Sequence, residues 1–154
     1  MHLVIFNLDR QRYALHLSAV ERVVRAVQVT PLPKGPPIVL GVVNVRGQII
    51  PVINLRRRFG LSESELSLGD SFVLARAGTR GVALVADGVD GLLELFEKDV
   101  VTSTAILPSA QYLEGVVKLN DGLVLIHNLE SFLSVEEAQE LDGAITEAAA
   151  ERPT

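Results

Sequence analysis

The sequence contains no cysteine, no tryptophan and a single methionine in 154 residues. Without cysteine the chain can form neither a disulfide nor a thiolate zinc site, which agrees with a cytoplasmic home. Aromatic residues make up only 5%. That is too few for the stacking platforms that hold single-stranded nucleic acid, and an isoelectric point near 5.2 argues the same way. No apolar run approaches the roughly 18 residues that signal a membrane-spanning helix, so no membrane insertion is expected. The opening MHLVIFNL has no charged start and no small-residue cleavage site, so no signal peptide is expected either. G-x-S-x-G, Walker A and G-x-G-x-x-G are all missing. His2, His16 and His127 stand singly, without a partner at metal-ligand spacing. Asp87-Gly-Val-Asp90-Gly looks faintly like a calcium loop but lacks the further oxygen ligands and the distant Glu, so it reads as a turn. These absences speak against an enzyme, a metal site and a cofactor.

What remains is an apolar chain with abundant core material. Hydrophobic residues make up 48% and mean hydropathy is +0.33. A chain of this length buries roughly 70% of its unfolded surface in one domain, here taken as residues 1–154. Apolar runs of four to eight residues recur between turn signals, the pattern of an all-β barrel or sandwich. The expected strands are 2–8, 11–17, 22–28, 38–46, 48–53, 70–77, 80–86, 90–96, 112–119 and 122–128. Tight turns are expected at Asp9–Arg12, Ala77–Arg80 and Asn120–Gly122, the last containing Asp-Gly. Four prolines make 30–37 a loop, 61–69 is a polar loop, and 98–111 holds a long connection ending at Pro108.

Two S-x-x-E capping boxes mark helix starts. Ser18-Ala-Val-Glu21 predicts a helix with Val20 and Val23 in its core and Arg22 and Arg25 exposed. Ser134-Val-Glu-Glu137 predicts a second helix over about 135–149, with Val135, Ala138, Leu141, Ile145 and Ala148 on one stripe. Residues 151–154 are expected to fray.

Charge is split along the chain. Residues 1–60 carry nine basic and two acidic residues, a net of +7, and residues 61–154 carry five and seventeen, a net of −12. Either this asymmetry steers docking to charged partners or the halves interleave in space and cancel.

The densest information lies in Gly41–Phe59, GVVNVRGQIIPVINLRRRF. A strand buried on both faces ends at Arg46, and Gly47 opens a turn. Pro51 sits inside the next apolar run, which predicts an edge strand or a bulge because proline donates no ladder hydrogen bond. Asn54 can cap the short helical turn that follows, closed by Gly60. Arg56, Arg57 and Arg58 are the one basic cluster, read either as a solvated turn or as a contact to an acidic partner. Arg46 either braces the structure internally or grips a partner with its planar fork.

This segment resembles the core signature of the CheW family, the coupling proteins of bacterial chemotaxis. The resemblance extends through residues 3–23, 81–89 and 112–133, in the family's order. It implies a mainly β fold of two SH3-like five-stranded barrels around a shared hydrophobic core, spanning about 3–133, with short helices and a C-terminal helix. It also implies a cytoplasmic, non-enzymatic adaptor, a monomer when free, recruited to membrane-associated receptor arrays. There it bridges the cytoplasmic tip of a chemoreceptor and the regulatory domain of the histidine kinase CheA. The positions it implicates in receptor or kinase contact are Val20, Arg22, Gly41, Asn44, Arg46, Gly47 and Arg56. Asn54 stands where the family often has Asp, and His127-Asn128 where it often has Leu-Asp. No receiver domain precedes the first strand, so a CheV-like fusion is not expected. The alternatives are an adaptor of another chemosensory system, such as one driving type IV pili, and a small-ligand-binding β-barrel.

Overall fold

The computed structural model describes residues 1–102 and 113–150. Among the described residues eleven strands form. The first five are β1 (His2–Leu8), β2 (Gln11–His16), β3 (Val20–Arg25), β4 (Val39–Val45) and β5 (Gln48–Ile53). After the short helix α1 (Leu55–Arg58) come β6 (Ser71–Ala77), β7 (Arg80–Ala86), β8 (Gly88–Glu94) and β9 (Val100–Thr102). Then follow β10 (Leu113–Leu119), β11 (Gly122–His127) and the C-terminal helix α2 (Val135–Ala150).

The strands make two sheets. A six-stranded sheet runs β8-β1-β2-β11-β10-β9, and a five-stranded sheet runs β3-β6-β7-β5-β4. All pairings are antiparallel except β11 with β2 and β5 with β7. The short β9 adds a sixth strand at the edge of one sheet: it pairs three residues with β10 inside the segment read as connection. The remainder of that connection, including Pro108, and the tail 151–154 lie outside the described residues.

Strand patterning explains why the apolar runs look continuous. β7 sends Val82, Leu84 and Ala86 into a cluster shared with Phe6, Leu8, Tyr13 and Leu15 of the other sheet. Its alternate residue Ala83 faces the interior of the five-stranded sheet, with Val43, Val52, Phe72 and Leu74. A third cluster of Leu3, Ile5, Ala14, Val117, Val124 and Ile126 fills the six-stranded sheet. Two filled barrels thus share a middle core. Each large side chain buried there contributes about 1.5–3 kcal/mol. An exposed ion pair contributes about 0–1 kcal/mol, so apolar burial is what holds the barrels together.

Ser18 does not start a helix. Leu17–Ala19 is one turn of 3-10 helix without a side-chain cap, and the chain enters β3 directly at Val20. Val20, Val23, Val24 and Val27 also fit helical spacing, but β-branched residues lose χ1 freedom in a helix. Here they pair with β6 instead, Val24 opposite Phe72 and Val23 opposite Val73. Pro51 is not on an edge strand by sheet order. It sits where β5 has only β4 as neighbour, before the pairing with β7 begins at Val52, and the register slip lies opposite, in β4 between Val39 and Gly41.

The second capping box forms as read. Ser134 N–H donates to Glu137 Oε1 at 2.9 Å, and Glu137 N–H donates to Ser134 Oγ at 3.0 Å. Leu141 and Ala144 are buried, whereas Val135 lies outside the stripe and is exposed. Burial opposes ionisation of Glu137, but the Ser134 amide and Arg58 outweigh it and hold the carboxyl below its ordinary value. Its contribution to stability is therefore present at neutral pH and fades as acid protonates it. Ser134→Ala should cost about 1 kcal/mol, read as a lower denaturation midpoint. Coinciding midpoints for variant and parent would show that the box does not hold the helix.

Candidate functional site

Five of the nine cations in residues 1–60 are taken up by acids of the second half. Arg12 meets Asp121 at 2.9 Å, Lys34 meets Glu147 at 2.7 Å and Arg56 meets Asp87 at 2.7 Å. Arg57 pairs with Glu63 and Arg58 with Glu137. The split charge therefore interleaves over much of the molecule. Arg10, Arg22, Arg25 and Arg46 make no ion pair among the described residues, and three of these four belong to β3 or to the β4–β5 turn.

That turn is a two-residue loop. Arg46 and Gly47 both adopt positive φ, 52° and 84°, as the primed hairpin turn favoured by sheet twist requires. Gly47 N–H donates to Asn44 Oδ1 at 2.8 Å, so Asn44 holds the loop that presents Arg46. Arginine in the left-handed region costs roughly 1–2 kcal/mol relative to its usual conformation. The side chain kept at that cost is exposed and unpaired among the described residues.

β3 is the opposite edge of the same sheet. Val20 is half-buried against the shared core, while Arg22, Val23 and Arg25 are exposed. The register slips between Val20 and Arg22, a bulge of the kind that keeps an edge strand from pairing indiscriminately. The β3 edge and the β4–β5 turn therefore display Val20, Arg22, Asn44 and Arg46, and the ion pair described on β3 is that of Glu21 with Arg76.

Two of the expected site residues are placed differently. Gly41 is buried, and Thr30 crosses directly over it through backbone hydrogen bonds with Val42 of 3.0 and 2.8 Å. It offers no surface to a partner. Arg56 is not an open cation: its guanidinium reaches Asp9 at 2.5 Å and both carboxylate oxygens of Asp87 at 2.7 and 2.9 Å. The hydrogen bond to Asp9, despite burial, holds its pKa above the ordinary value. The bracing role left open for Arg46 thus falls to Arg56. Successive residues on an α-helix point about 100° apart, so the three arginines diverge to three different partners and form no basic patch.

An apolar groove of about 440 Å³, which motif reading missed, lies beside β4, lined by Val27, Val29, Leu40, Leu66 and Leu68. Val27 and Leu68 are 51% and 72% exposed. Its signal was present as Leu66 and Leu68, two residues apart in the mostly polar loop 61–69. Better enclosed cavities beside Asn54 and beside His16 hold only about 130 and 170 Å³. Ligand pockets usually offer about 300–1,000 Å³, so they do not favour the ligand-binding alternative. Among the described residues no His, Cys, Asp and Glu group could hold a metal, and no helix is long and apolar enough to cross a membrane. Asp87 and Asp90 turn to Arg56 and Asn7 rather than to a common centre.

Both departures from the family pattern keep a capping oxygen. Asn54 Oδ1 accepts from Arg57 N–H at 3.2 Å, and Asn128 Oδ1 accepts from Glu130 N–H at 3.1 Å. His127 is buried in an aromatic stack, its ring 4.3 Å from that of Phe59.

Comparison with known proteins agrees with this architecture. The CheW-like domain matches residues 2–137. The chemotaxis protein CheW of Treponema pallidum is 29% identical over 145 residues, covering 90% of this chain and 85% of that protein. The chemotaxis protein CheW of Thermotoga maritima is 30% identical over 128 residues, covering 83% and 84%. The crystal structure of the scaffolding protein TtCheW from Thermoanaerobacter tengcongensis aligns with a TM-score of 0.80 at 27% identity, covering 88% of this chain and 94% of that one. Matched over most of its length in sequence and in fold, the chain belongs to the CheW family of chemotaxis coupling proteins.

Proposed function

We infer that the chain links the cytoplasmic tip of a chemoreceptor to the regulatory domain of the histidine kinase CheA. The link is non-covalent and uses no catalytic group or cofactor. The protein works in the cytoplasm, within receptor arrays, and is a monomer when free. The observation that carries this reading is the display of Val20, Arg22, Asn44 and Arg46 on one edge strand and one strained turn, on a molecule that pairs most of its other N-terminal cations internally. A receptor helical hairpin would lay its apolar stripe against Val20 and Val23 and meet the arginines with polar or acidic side chains. The apolar groove at Val27, Leu40 and Leu68 would take the kinase, since central apolar anchors dominate such interfaces and rim charges mostly tune rates.

The test is binding of a CheA regulatory domain and of a receptor-tip fragment at low salt and at about 0.5 M, where screening acts within about 4 Å. Both should bind, with kinase affinity changing less than tenfold and receptor affinity falling further. Binding of neither partner overturns the adaptor reading. A tenfold or larger loss of kinase affinity overturns the apolar contact.

A further inference from the structure

The seam between the barrels carries a polar device that docking does not explain. Arg56 leaves α1, which hangs from the five-stranded sheet, and is largely enclosed, with 13% of its side chain exposed. Its partners come from elsewhere. Asp9 sits in the β1–β2 turn of the six-stranded sheet, and Asp87 marks the point where the chain passes from β7 of one sheet to β8 of the other. The three are tied further, because Asp9 N–H donates to Asp87 Oδ2 at 2.9 Å and Asp87 N–H donates to Asn7 O at 2.9 Å. Phe59, at the end of the same helix, reaches across as well: its ring is 4.9 Å from Tyr13 of β2 and 4.3 Å from His127 of β11. One four-residue helix thus inserts a cation and a ring into the opposite barrel.

Apolar packing is non-directional. A guanidinium held by two carboxylates has a fixed planar geometry. The shared core holds the barrels together without a preferred direction, whereas the Arg56 cluster is directional. β2 runs away from this cluster toward the start of β3, and its six residues span about 20 Å. Small rotations at one end of the seam therefore become displacements at the other, where Val20 and Val23 lie.

We propose that Arg56 is a positioning residue which, with Asp9 and Asp87, sets the angle between the barrels and thereby the shape of the receptor-gripping edge at the far end of the seam. The part concerning the receptor rests on the adaptor reading above. The part concerning the angle does not.

The absence of cysteine makes the angle measurable. Cysteines introduced at Leu123 and Ile49, both exposed and on different sheets, take spin labels, and pulsed electron paramagnetic resonance reads the distance between them. In the otherwise unaltered chain the distribution should be narrow. In Arg56→Met it should broaden or shift, receptor-fragment affinity should fall about tenfold, and affinity for the kinase domain should change less than twofold. Arg56→Lys, a point charge unable to fork, should fall between. Asp9→Ala, at an exposed turn, serves the same purpose if Arg56→Met does not fold. An unchanged distance distribution overturns the clamp. A changed distribution with unchanged receptor affinity, or equal loss of both partners, overturns the positioning role. If the parent binds neither partner, the adaptor reading fails while the distance measurement still decides the clamp.

Discussion

Gly41→Ala should lower the melting midpoint by on the order of 10 °C while removing no surface contact. A Cβ at this position would lie 2.2 Å from the Thr30 carbonyl oxygen and 2.7 Å from a Val29 methyl. Backbone is the obstacle, so a side-chain rotation does not relieve it. Thr30 must move off β4, which breaks two backbone hydrogen bonds worth about 1 kcal/mol each, and the remaining overlap adds about 1–3 kcal/mol. A total of about 3–5 kcal/mol is a large part of the 5–15 kcal/mol by which such domains are stable, and at about 2–4 °C per kcal/mol it gives the stated shift. Differential scanning calorimetry decides the matter. A midpoint within about 3 °C of the parent would mean that the Thr30 crossing yields easily and that Gly41 serves some other purpose.

Arg46→Gly should do the reverse, leaving the fold intact and removing the interaction. Glycine adopts positive φ without strain, which offsets the conformational entropy it adds to the unfolded chain, so the midpoint should stay within a few degrees or rise. Losing a charged hydrogen-bonding partner costs about 1.5–3 kcal/mol, roughly ten- to a hundredfold in receptor affinity, with little change toward the kinase. Arg46→Ala should lose the same affinity but retain the strain. A substantial fall in midpoint for Arg46→Gly, or an unchanged receptor affinity, would return Arg46 to a bracing role.

The contrast between these glycine and arginine positions shows where sequence reading stops. Strand positions and turn tips were legible because alternation and turn chemistry are local. Asn54 and Ser134 were legible as caps because each acts within three residues. The Ser18 box had the same letters and failed. After Ser134 come Glu, Ala, Gln and Leu, which favour a helix, whereas after Ser18 come four valines with a strand waiting to pair. Local chemistry proposes and the neighbouring strand disposes. Arg46 and Arg56 could not be told apart from the sequence, because what separates them is whether Asp9 and Asp87 converge. Those residues are 78 positions apart in sequence and meet only in the finished fold. The groove at Leu66 and Leu68 was hidden for a similar reason: a polar loop contributes apolar residues only once it lies beside β4.

The strand order also sets a schedule. Every strand of the five-stranded sheet, β3 through β7, has been made by residue 86, whereas β2 pairs with β11, which begins at residue 122. On a ribosome adding about 5–20 residues per second, β2 waits some seconds for that partner. The barrel carrying the proposed receptor edge is complete in sequence before the one built on β1, β2 and β11. Until then the β1–β2 hairpin's apolar side chains have β7 to pack on, through Val82 and Leu84, but the backbone edge of β2 stays open to pairing with another chain.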